Sequence, residues 1–245
     1  MKAGRSREPS GEPAVRPTSP RSAARGRRSG TRAAAAQATR EAILRAATRV
    51  FAKRGYDGGR IDQISRAARS YDRMIYYYFG SKEGLYVAVI EDMYRRFNDA
   101  VTRLTLDPDD PEAALAEAIR FVWAYYQRHP EFITLLNDEN LHRGRHLSRS
   151  PHAGEFGPFA MNALREVLDR GAARGLFRRT VTPRDLYLLI AALGYFYLSN
   201  RYTLSAFFGE RTDTPEALAY WERFMIDAVR RTLAPPEALP PIGPR

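Results

Sequence analysis

The stretch that decides the fold is IDQISRAARSYDRMIYYYFGSKEGL, residues 61–85. In its first part Ile61, Ile64 and Ala68 recur at intervals of three and four residues, the spacing of one helix face. This pattern predicts a short helix, at about 61–68, whose apolar side chains face inward.

A second short helix is expected after a turn of three to four residues. It begins near Asp72, because a carboxylate accepts hydrogen bonds from the free N–H groups at a helix start. Ile75 and Phe79 lie four residues apart and predict its buried side, and Gly80 ends it. Two short helices joined by such a turn form the helix-turn-helix plan, whose second helix lies in the major groove of DNA.

A longer helix is expected to precede this pair, over Thr39–Arg54. Gly55 should end it, since glycine readily adopts the left-handed backbone found after a helix. Its apolar stripe has the spacing of an amphipathic helix, and the residues of the stripe are Ile43, Ala46, Ala47, Val50 and Phe51.

The outer side of the second short helix carries the candidate DNA contacts. Four consecutive aromatic residues at 76–79 cover the whole circumference, so they cannot all point inward. Tyrosine hydroxyls can donate to phosphate oxygens, and Arg73 can pair with a phosphate or a guanine edge. Lys82 and the free N–H groups of the next helix offer a second phosphate site. The residues left on or near the outer side are Tyr71, Asp72, Arg73, Tyr76 and Tyr77.

The positive charge is concentrated in the first third of the chain. The formal net charge is +11, of which residues 1–38 contribute +7 and residues 39–84 contribute +5, which leaves −1 for the rest. A basic end joined to a nearly neutral remainder indicates that this end meets a polyanion.

The segments described so far resemble the DNA-binding head of TetR-family regulators over about Thr39–Ile90. The resemblance is carried by Ile61–Ala68, by Met74–Leu85 and by the upstream Ile43–Tyr56. It implies a homodimer on a palindromic operator in double-stranded DNA. It also implies a pocket for a small-molecule effector in the helical body, and release of the DNA when the effector binds.

By position, the resemblance implies phosphate contacts from Tyr76, Tyr77 and Lys82, and base-reading positions at Tyr71, Arg73 and Met74. The chain departs from the family pattern in two places. Arg69 stands in the turn where glycine is usual, and a left-handed residue there costs about 1 kcal/mol without glycine. Arg60 precedes the first short helix where Ser or Thr is usual, and its guanidinium could offer a phosphate contact.

The rest of the sequence predicts an all-α protein. Helices are expected near 81–104, 111–128, 131–142, 155–174, 183–206 and 215–233, punctuated by proline and glycine. The predicted organisation is a disordered basic arm (1–38), a helix-turn-helix DNA-binding domain (39–84), a helical ligand-binding and dimerisation domain (85–233) and a Pro-rich tail (234–245).

The last two predicted helices are the candidate dimer surface, with packing inside one chain as the alternative. One apolar stripe consists of Leu186, Leu189, Ile190, Leu193 and Tyr197. The other consists of Leu218, Trp221, Met225 and Val229. Two helices from each subunit can form a four-helix bundle.

A ligand pocket should combine large apolar side chains with a few polar ones on the middle helices. The residues that fit this description are Trp123, Tyr126, Phe132, Leu136, Asn140, Phe159, Asn162, Tyr195 and Asn200. Ordinary core packing is the alternative for each of them.

Two features of the sequence point to other function classes. Glu139 and His142 have the Glu-x-x-His spacing of metal-binding helical-bundle enzymes, but no second copy of the motif is present. An architectural DNA-binding protein could use the arginine-rich arm on phosphates. The large, nearly neutral remainder of the chain argues against that role.

Composition and missing motifs argue against several other classes of protein. The chain has no cysteine, which excludes disulfides and thiolate metal sites, and no apolar run approaches the ~18 residues of a membrane span. It also lacks a Gly-rich phosphate loop, a His-Glu-x-x-His pair and a nucleophile elbow. We therefore expect a cytoplasmic regulator that is not an enzyme and needs no metal, no cofactor and no membrane.

Overall fold

The computed structural model describes residues 20–235, and the regular secondary structure in that range is all helical, with no strand. This confirms the predicted all-α fold class. The helices are α1 (Pro20–Gly58), α2 (Ile61–Ala67), α3 (Asp72–Phe79), α4 (Lys82–Val101), α5 (Pro111–Arg128), α6 (Pro130–Leu141), α7 (Pro158–Ala173), α8 (Pro183–Ser199), α9 (Arg201–Phe208) and α10 (Pro215–Leu233), with 3-10 turns at Leu147–Arg149 and Ala153–Glu155.

Proline is the first residue of six of these helices, α1, α5, α6, α7, α8 and α10. At the first helical position the ring fixes φ, and the missing N–H would have had no partner in the helix. Three of these starts are also capped by a side chain, since Asp110, Thr182 and Thr214 each accept a backbone N–H from three residues ahead.

The helix predicted over 183–206 is divided in two at Asn200. The backbone there has φ −104° and ψ 9°, outside the helical range. The side-chain amide of Asn200 donates to the carbonyl of Phe196 at 2.8 Å. Local bonds of this kind are the means by which Asn competes with helix continuation.

The chain divides into two units, residues 1–41 and residues 42–245. In the first unit, residues 20–38 are helical, although the sequence predicted a disordered arm over 1–38. The run Ala33–Ala36 explains the difference, because alanine has the highest intrinsic helix propensity. Residues 1–19 of that arm, and residues 236–245 of the predicted tail, lie outside the described residues.

In the second unit we call residues 42–84 the head and residues 85–233 the body. One hydrophobic core runs through both. On α4, the ring of Tyr86 meets the head at Phe51, with centroids 5.1 Å apart. Farther along the same helix, Phe97 meets Tyr125 and Phe132 of the body at 5.0 and 5.6 Å. Helix α4 is therefore packed into both parts.

The stripes predicted for a dimer surface lie largely inside the chain. Leu186, Ile190, Met225 and Val229 are at most 2% exposed. For these four residues the interface prediction is wrong, and the alternative of packing within one chain is correct. Helical spacing identifies an apolar face, but it does not distinguish a core from an interface.

None of the helices in the described range has the length and apolarity of a membrane span.

Helix α7 depends on a glycine at Gly171. A Cβ at this position would lie 1.9 Å from Cδ2 of Phe177, whose ring is 4% exposed and fills the groove beside the helix. We predict that Gly171→Ala lowers the free energy of unfolding by about 1–3 kcal/mol, because overpacking outweighs the helix propensity of alanine. Urea unfolding followed by circular dichroism measures the change.

The matched control for this prediction is Gly154→Ala. Gly154 is exposed, and a Cβ there would meet nothing within 4 Å. A Gly171→Ala protein as stable as the wild type would show that Phe177 does not occupy this groove.

Candidate functional site

The turn between α2 and α3 is formed by residues 68–71. Arg69 has φ 52°, so it adopts the left-handed backbone without being glycine. The N–H of Ser70 reaches back to the carbonyl of Ser65 at 2.9 Å and closes the turn. Arg69 in place of the usual glycine therefore still adopts the left-handed turn. The backbone strain falls on this exposed arginine.

The two faces of α3 differ sharply in exposure. Ile75 is fully buried, while Met74, Tyr78 and Phe79 are half-buried against the core. Met74, a predicted base-reading residue, therefore turns part of its side chain inward. Phe79 packs inward as its position in the sequence indicated.

The outer face of α3 is open to solvent. Tyr71, Tyr76 and Tyr77 are 72%, 52% and 77% exposed. Arg73 is exposed as well, with its guanidinium carbon 5.3 Å from the centroid of the Tyr71 ring. Three phenol groups and one guanidinium thus share a single surface, where they can donate to phosphate oxygens and base edges.

A hydrogen bond ties the start of α3 to α2. The hydroxyl of Ser65, which is 4% exposed, donates to the carboxylate of Asp72. One oxygen of Asp72 is thus engaged within the head. Asp72 is therefore exposed on α3 and also connects α3 to α2.

Arg60 lies at the N-terminal end of α2 in an exposed ion pair. Its Nε is 2.9 Å from Oδ1 of Asp62, and Nη2 of Arg66 is 2.6 Å from the other oxygen of the same carboxylate. These two arginines lower the pKa of Asp62, Arg60 first through its hydrogen bond. Two guanidinium groups against one carboxylate leave this edge positively charged.

Lys82 lies at the first position of α4. Its Nζ donates to the carbonyl of Asp57 at 3.3 Å and sits 4.6 Å from the centroid of the Tyr56 ring. Ser81 caps the helix by accepting the N–H of Gly84 at 2.9 Å. Lys82 is half-buried and faces the end of α1, so its ammonium group already has partners within the head.

An apolar cavity lies in the body between α4, α5, α7 and α8 and is partly open to solvent. Burial raises the pKa of the Tyr126 and Tyr187 phenols above the ordinary value of 10.0. The lining residues are Phe97, Val101, Leu104, Leu106, Ala118, Phe121, Val122, Tyr126, Ala160, Ala163, Leu164, Tyr187, Ile190 and Ala191.

Of the nine predicted ligand-binding residues, all within the described range, Tyr126 alone lines this cavity. Trp123 and Phe132 are buried in the core, and Leu136 is half-buried against it. Phe159 is 48% exposed, and Asn162 is exposed on the same helix, α7.

The other three polar candidates bond to neighbouring groups of the chain. Asn140 is exposed, and its side-chain amide donates to the carbonyl of Leu136 at 2.9 Å. The hydroxyl of Tyr195 donates to the side chain of Asn137. Asn200 ends α8, as described above.

The sequence offered little signal for the residues that line the cavity. Alanines at 118, 160, 163 and 191 face the space from three helices. Small side chains at facing positions leave a void that larger ones would fill, but their opposition becomes visible only in three dimensions.

Glu139 and His146, rather than Glu139 and His142, form a pair in the body. One oxygen of the buried Glu139 carboxylate accepts the N–H groups of His146 and Leu147, each at 2.8 Å. The other lies 2.8 Å from Nδ1 of His146. Within the described residues no group of three or more His, Asp or Glu side chains is placed to hold a metal ion.

Comparisons with known proteins match both parts of the chain. A family profile described as "Bacterial regulatory proteins, tetR family" matches residues 43–89. A second, described as "Tetracyclin repressor-like, C-terminal domain", matches residues 111–229. The first match covers the head and the start of α4, and the second covers most of the body.

Individual relatives agree with the profiles. The HTH-type transcriptional repressor NicS of Pseudomonas putida is 49% identical over 198 residues, which are 81% of this chain and 93% of that protein. The HTH-type transcriptional repressor SCO4008 of Streptomyces coelicolor is 31% identical over 64% of this chain and 77% of its own length. A crystal structure of a transcriptional regulator, SCO4942 of Streptomyces coelicolor, shares the fold with a TM-score of 0.58 and 22% identity, over 80% of this chain and 98% of that one.

The bond between α2 and α3 yields a testable prediction. Ser65→Ala leaves one oxygen of Asp72 without its buried donor, and a hydrogen bond to a charged group contributes about 1.5–3 kcal/mol. We expect the free energy of unfolding to fall by an amount in the lower part of that range, because Asp72 can turn toward water. Chemical denaturation of the full chain measures it.

Ser148→Ala is the control, since that residue is exposed and, within the described part of the chain, its hydroxyl bonds only to the nearby carbonyl of Arg145. Equal stability of the two variants would mean that the Ser65–Asp72 bond does not hold the helices together.

Proposed function

The chain belongs to the TetR family of DNA-binding transcriptional regulators, and we propose that it is a ligand-released repressor that binds a palindromic operator as a homodimer. The observation that carries the proposal is the outer face of α3. There, Tyr76, Tyr77 and Arg73 lie exposed on the helix, and Tyr71 lies exposed immediately before it. The relatives from Pseudomonas putida and Streptomyces coelicolor are repressors by name, which favours repression over activation.

In the proposed complex, α3 of each subunit lies in the major groove. Tyr76, Tyr77 and Lys82 hold phosphates, while Tyr71, Arg73 and Met74 are nearest to the base edges. Arg60 adds a phosphate contact from the edge of α2. Asp72 holds the orientation of α3 through Ser65, because a carboxylate would be repelled by the DNA backbone.

A second copy of the chain is the proposed occupant of the outer face of α8 and α10. Leu188 and Phe196 on α8 are 52% and 58% exposed, and Tyr220 and Phe224 on α10 are 59% and 43% exposed. Each pair follows helical spacing, so each helix shows one apolar stripe. Two such helices per subunit form a four-helix bundle, and a two-fold dimer must space its reading helices about 34–36 Å apart.

The effector is proposed to bind in the apolar cavity of the body. Phe97 and Val101 contribute one wall from α4, the helix whose other end packs against the head. A molecule that fits the cavity better when α4 is shifted favours the spacing of heads that does not match DNA. Coupling between the two sites is typically about 1–3 kcal/mol.

The lining limits the chemistry of the part of the effector that enters. It is apolar apart from the phenols of Tyr126 and Tyr187. That part should be apolar, with at most one or two hydrogen-bonding groups. We place the protein in the cytoplasm, where a bacterial regulator meets its operator.

Two substitutions on α3 test the DNA contact. Tyr76→Phe removes a hydroxyl that donates to phosphate, so we expect binding to operator and to scrambled duplex to weaken equally, by about fivefold. Arg73→Ala removes a contact to a base edge, so we expect operator binding to weaken by about 10–100-fold while scrambled duplex is little affected. Fluorescence anisotropy with both duplexes at one salt concentration measures these changes.

Tyr202→Phe is the control for Tyr76→Phe, because Tyr202 is 70% exposed but lies on α9, outside the head. Equal losses on both duplexes for Arg73→Ala would show that Arg73 touches phosphate alone.

The dimer surface is tested by Phe196→Arg. We expect sedimentation velocity at low micromolar concentration to find a dimer for the wild type and a monomer for the variant, since a buried unpaired charge is costly. Leu141→Arg adds the same charge at an 82% exposed leucine on α6, and this control should remain a dimer. A dimeric Phe196→Arg protein would contradict the proposed surface.

A further inference from the structure

The head and the body meet at the end of α1, where Gly55 redirects the chain. Gly55 has φ 67° and ψ 178°, a combination that is essentially restricted to glycine. A Cβ on Gly55 would lie 2.5 Å from Oδ1 of Asp138 on α6. The glycine therefore permits both the unusual backbone and the close approach of a carboxylate from the body.

One oxygen of Asp138 joins three helices. Its Oδ2 accepts the backbone N–H of Tyr56 at 2.8 Å and the hydroxyl of Tyr86 at 2.6 Å. Tyr56 belongs to the end of α1, Tyr86 to α4 and Asp138 to α6. The Asp138 side chain is 14% exposed, so water competes little for these two donors.

Neighbouring contacts hold the same junction. Nδ1 of His142 lies 2.8 Å from the carbonyl of Asp138, and its Nε2 lies 3.3 Å from the carboxylate of Asp57 in the head. The ring of Tyr56 packs on His146, with centroids 4.3 Å apart. The segment that follows α6 is therefore bonded to α6 and touches the head directly.

A third group of contacts joins the loop after α6 to the start of α4 and to α6 itself. Arg149 donates to the carboxylate of Glu83 at the start of α4. Glu139 fixes the intervening loop by accepting the N–H groups of His146 and Leu147. The loop is thus anchored to α6 at one end and to the head at the other.

We propose that Asp138 is the positioning residue through which the body sets the orientation of the head. Its two hydrogen bonds are directional and share one oxygen, so a shift of α6 relative to α4 lengthens at least one of them. Tyr56 lies five residues before α2, and displacement of its peptide carries α2 and α3 with it. The inference deepens the proposed function, because the head is taken to be the part that binds DNA.

The first experiment follows hydrogen exchange in the full chain. Asp138→Ala removes the acceptor, and we expect the amide of Tyr56 and its neighbours up to residue 59 to exchange about tenfold faster, the equivalent of one hydrogen bond. Amides of α8 and α10 should keep their protection, which shows that the body remains folded. Asn140→Ala is the control on the same helix, because its side chain is exposed and bonds only to Leu136.

Two further variants separate positioning from packing. Asp138→Asn keeps an oxygen that can accept both donors, and we expect exchange at Tyr56 within about threefold of the wild type. Tyr86→Phe keeps the buried ring but loses the hydroxyl, and should speed exchange at Tyr56 because Asp138 is then held less firmly. If Asp138→Ala does not fold, the exchange rates of Asp138→Asn and Tyr86→Phe test whether Asp138 positions the head.

DNA binding supplies the second readout. We expect Asp138→Ala to bind an operator duplex about tenfold more weakly than the wild type, while Asp138→Asn and Asn140→Ala bind as the wild type does. Unchanged exchange at Tyr56 in folded Asp138→Ala, or in Tyr86→Phe, would overturn the inference. Failure of the wild type to bind any duplex would instead refute the proposed function. The role of Asp138 in positioning the head would then be tested by the hydrogen-exchange result alone.

Discussion

The burial of Ile75 determines what the rest of α3 can do. The helix has eight residues and one side packed against the core, so the remaining side chains must face water. Tyr76 and Tyr77 follow Ile75 directly and point away from the core, which is why two large aromatic residues stand exposed. Isolated exposed aromatics are common, but several on one short helix beside an arginine indicate a binding surface.

That surface is useful only if its orientation is fixed. Ser65 and Asp72 join α2 to α3, and Ser81 caps the start of α4 immediately after α3. Helix α4 then carries the connection into the body through Tyr86 and Phe97. A helix packed against neighbours along its length transmits displacement as a rigid element, because a close-packed core resists local adjustment. The cavity beside α4 and the exposed face of α3 are thus joined by a continuous series of packed residues.

The sequence predicted the head better than the body, and the reason is physical. Periodicity and glycine positions determine short local structures, so the bounds of α2 and α3 agree with expectation to within a residue. The break at Asn200 was missed because local bonding outweighed a continuous apolar pattern. The sequence predicted only one of the residues that line the cavity, Tyr126. Helical spacing shows that a residue faces inward, but not whether it is enclosed in the core, as Trp123 is, or lines a cavity, as Tyr126 does.

We propose that the outer face of α3 lies in the major groove of DNA, and photocrosslinking tests this placement most directly. A photoreactive phenylalanine analogue would replace Tyr77 in one protein and Leu141 in another, with a duplex selected by the wild type from random sequence as target. We predict crosslinks from position 77 to the centre of each half-site and none from position 141. Crosslinks from position 141, or none from position 77 while the protein remains bound, would contradict the account.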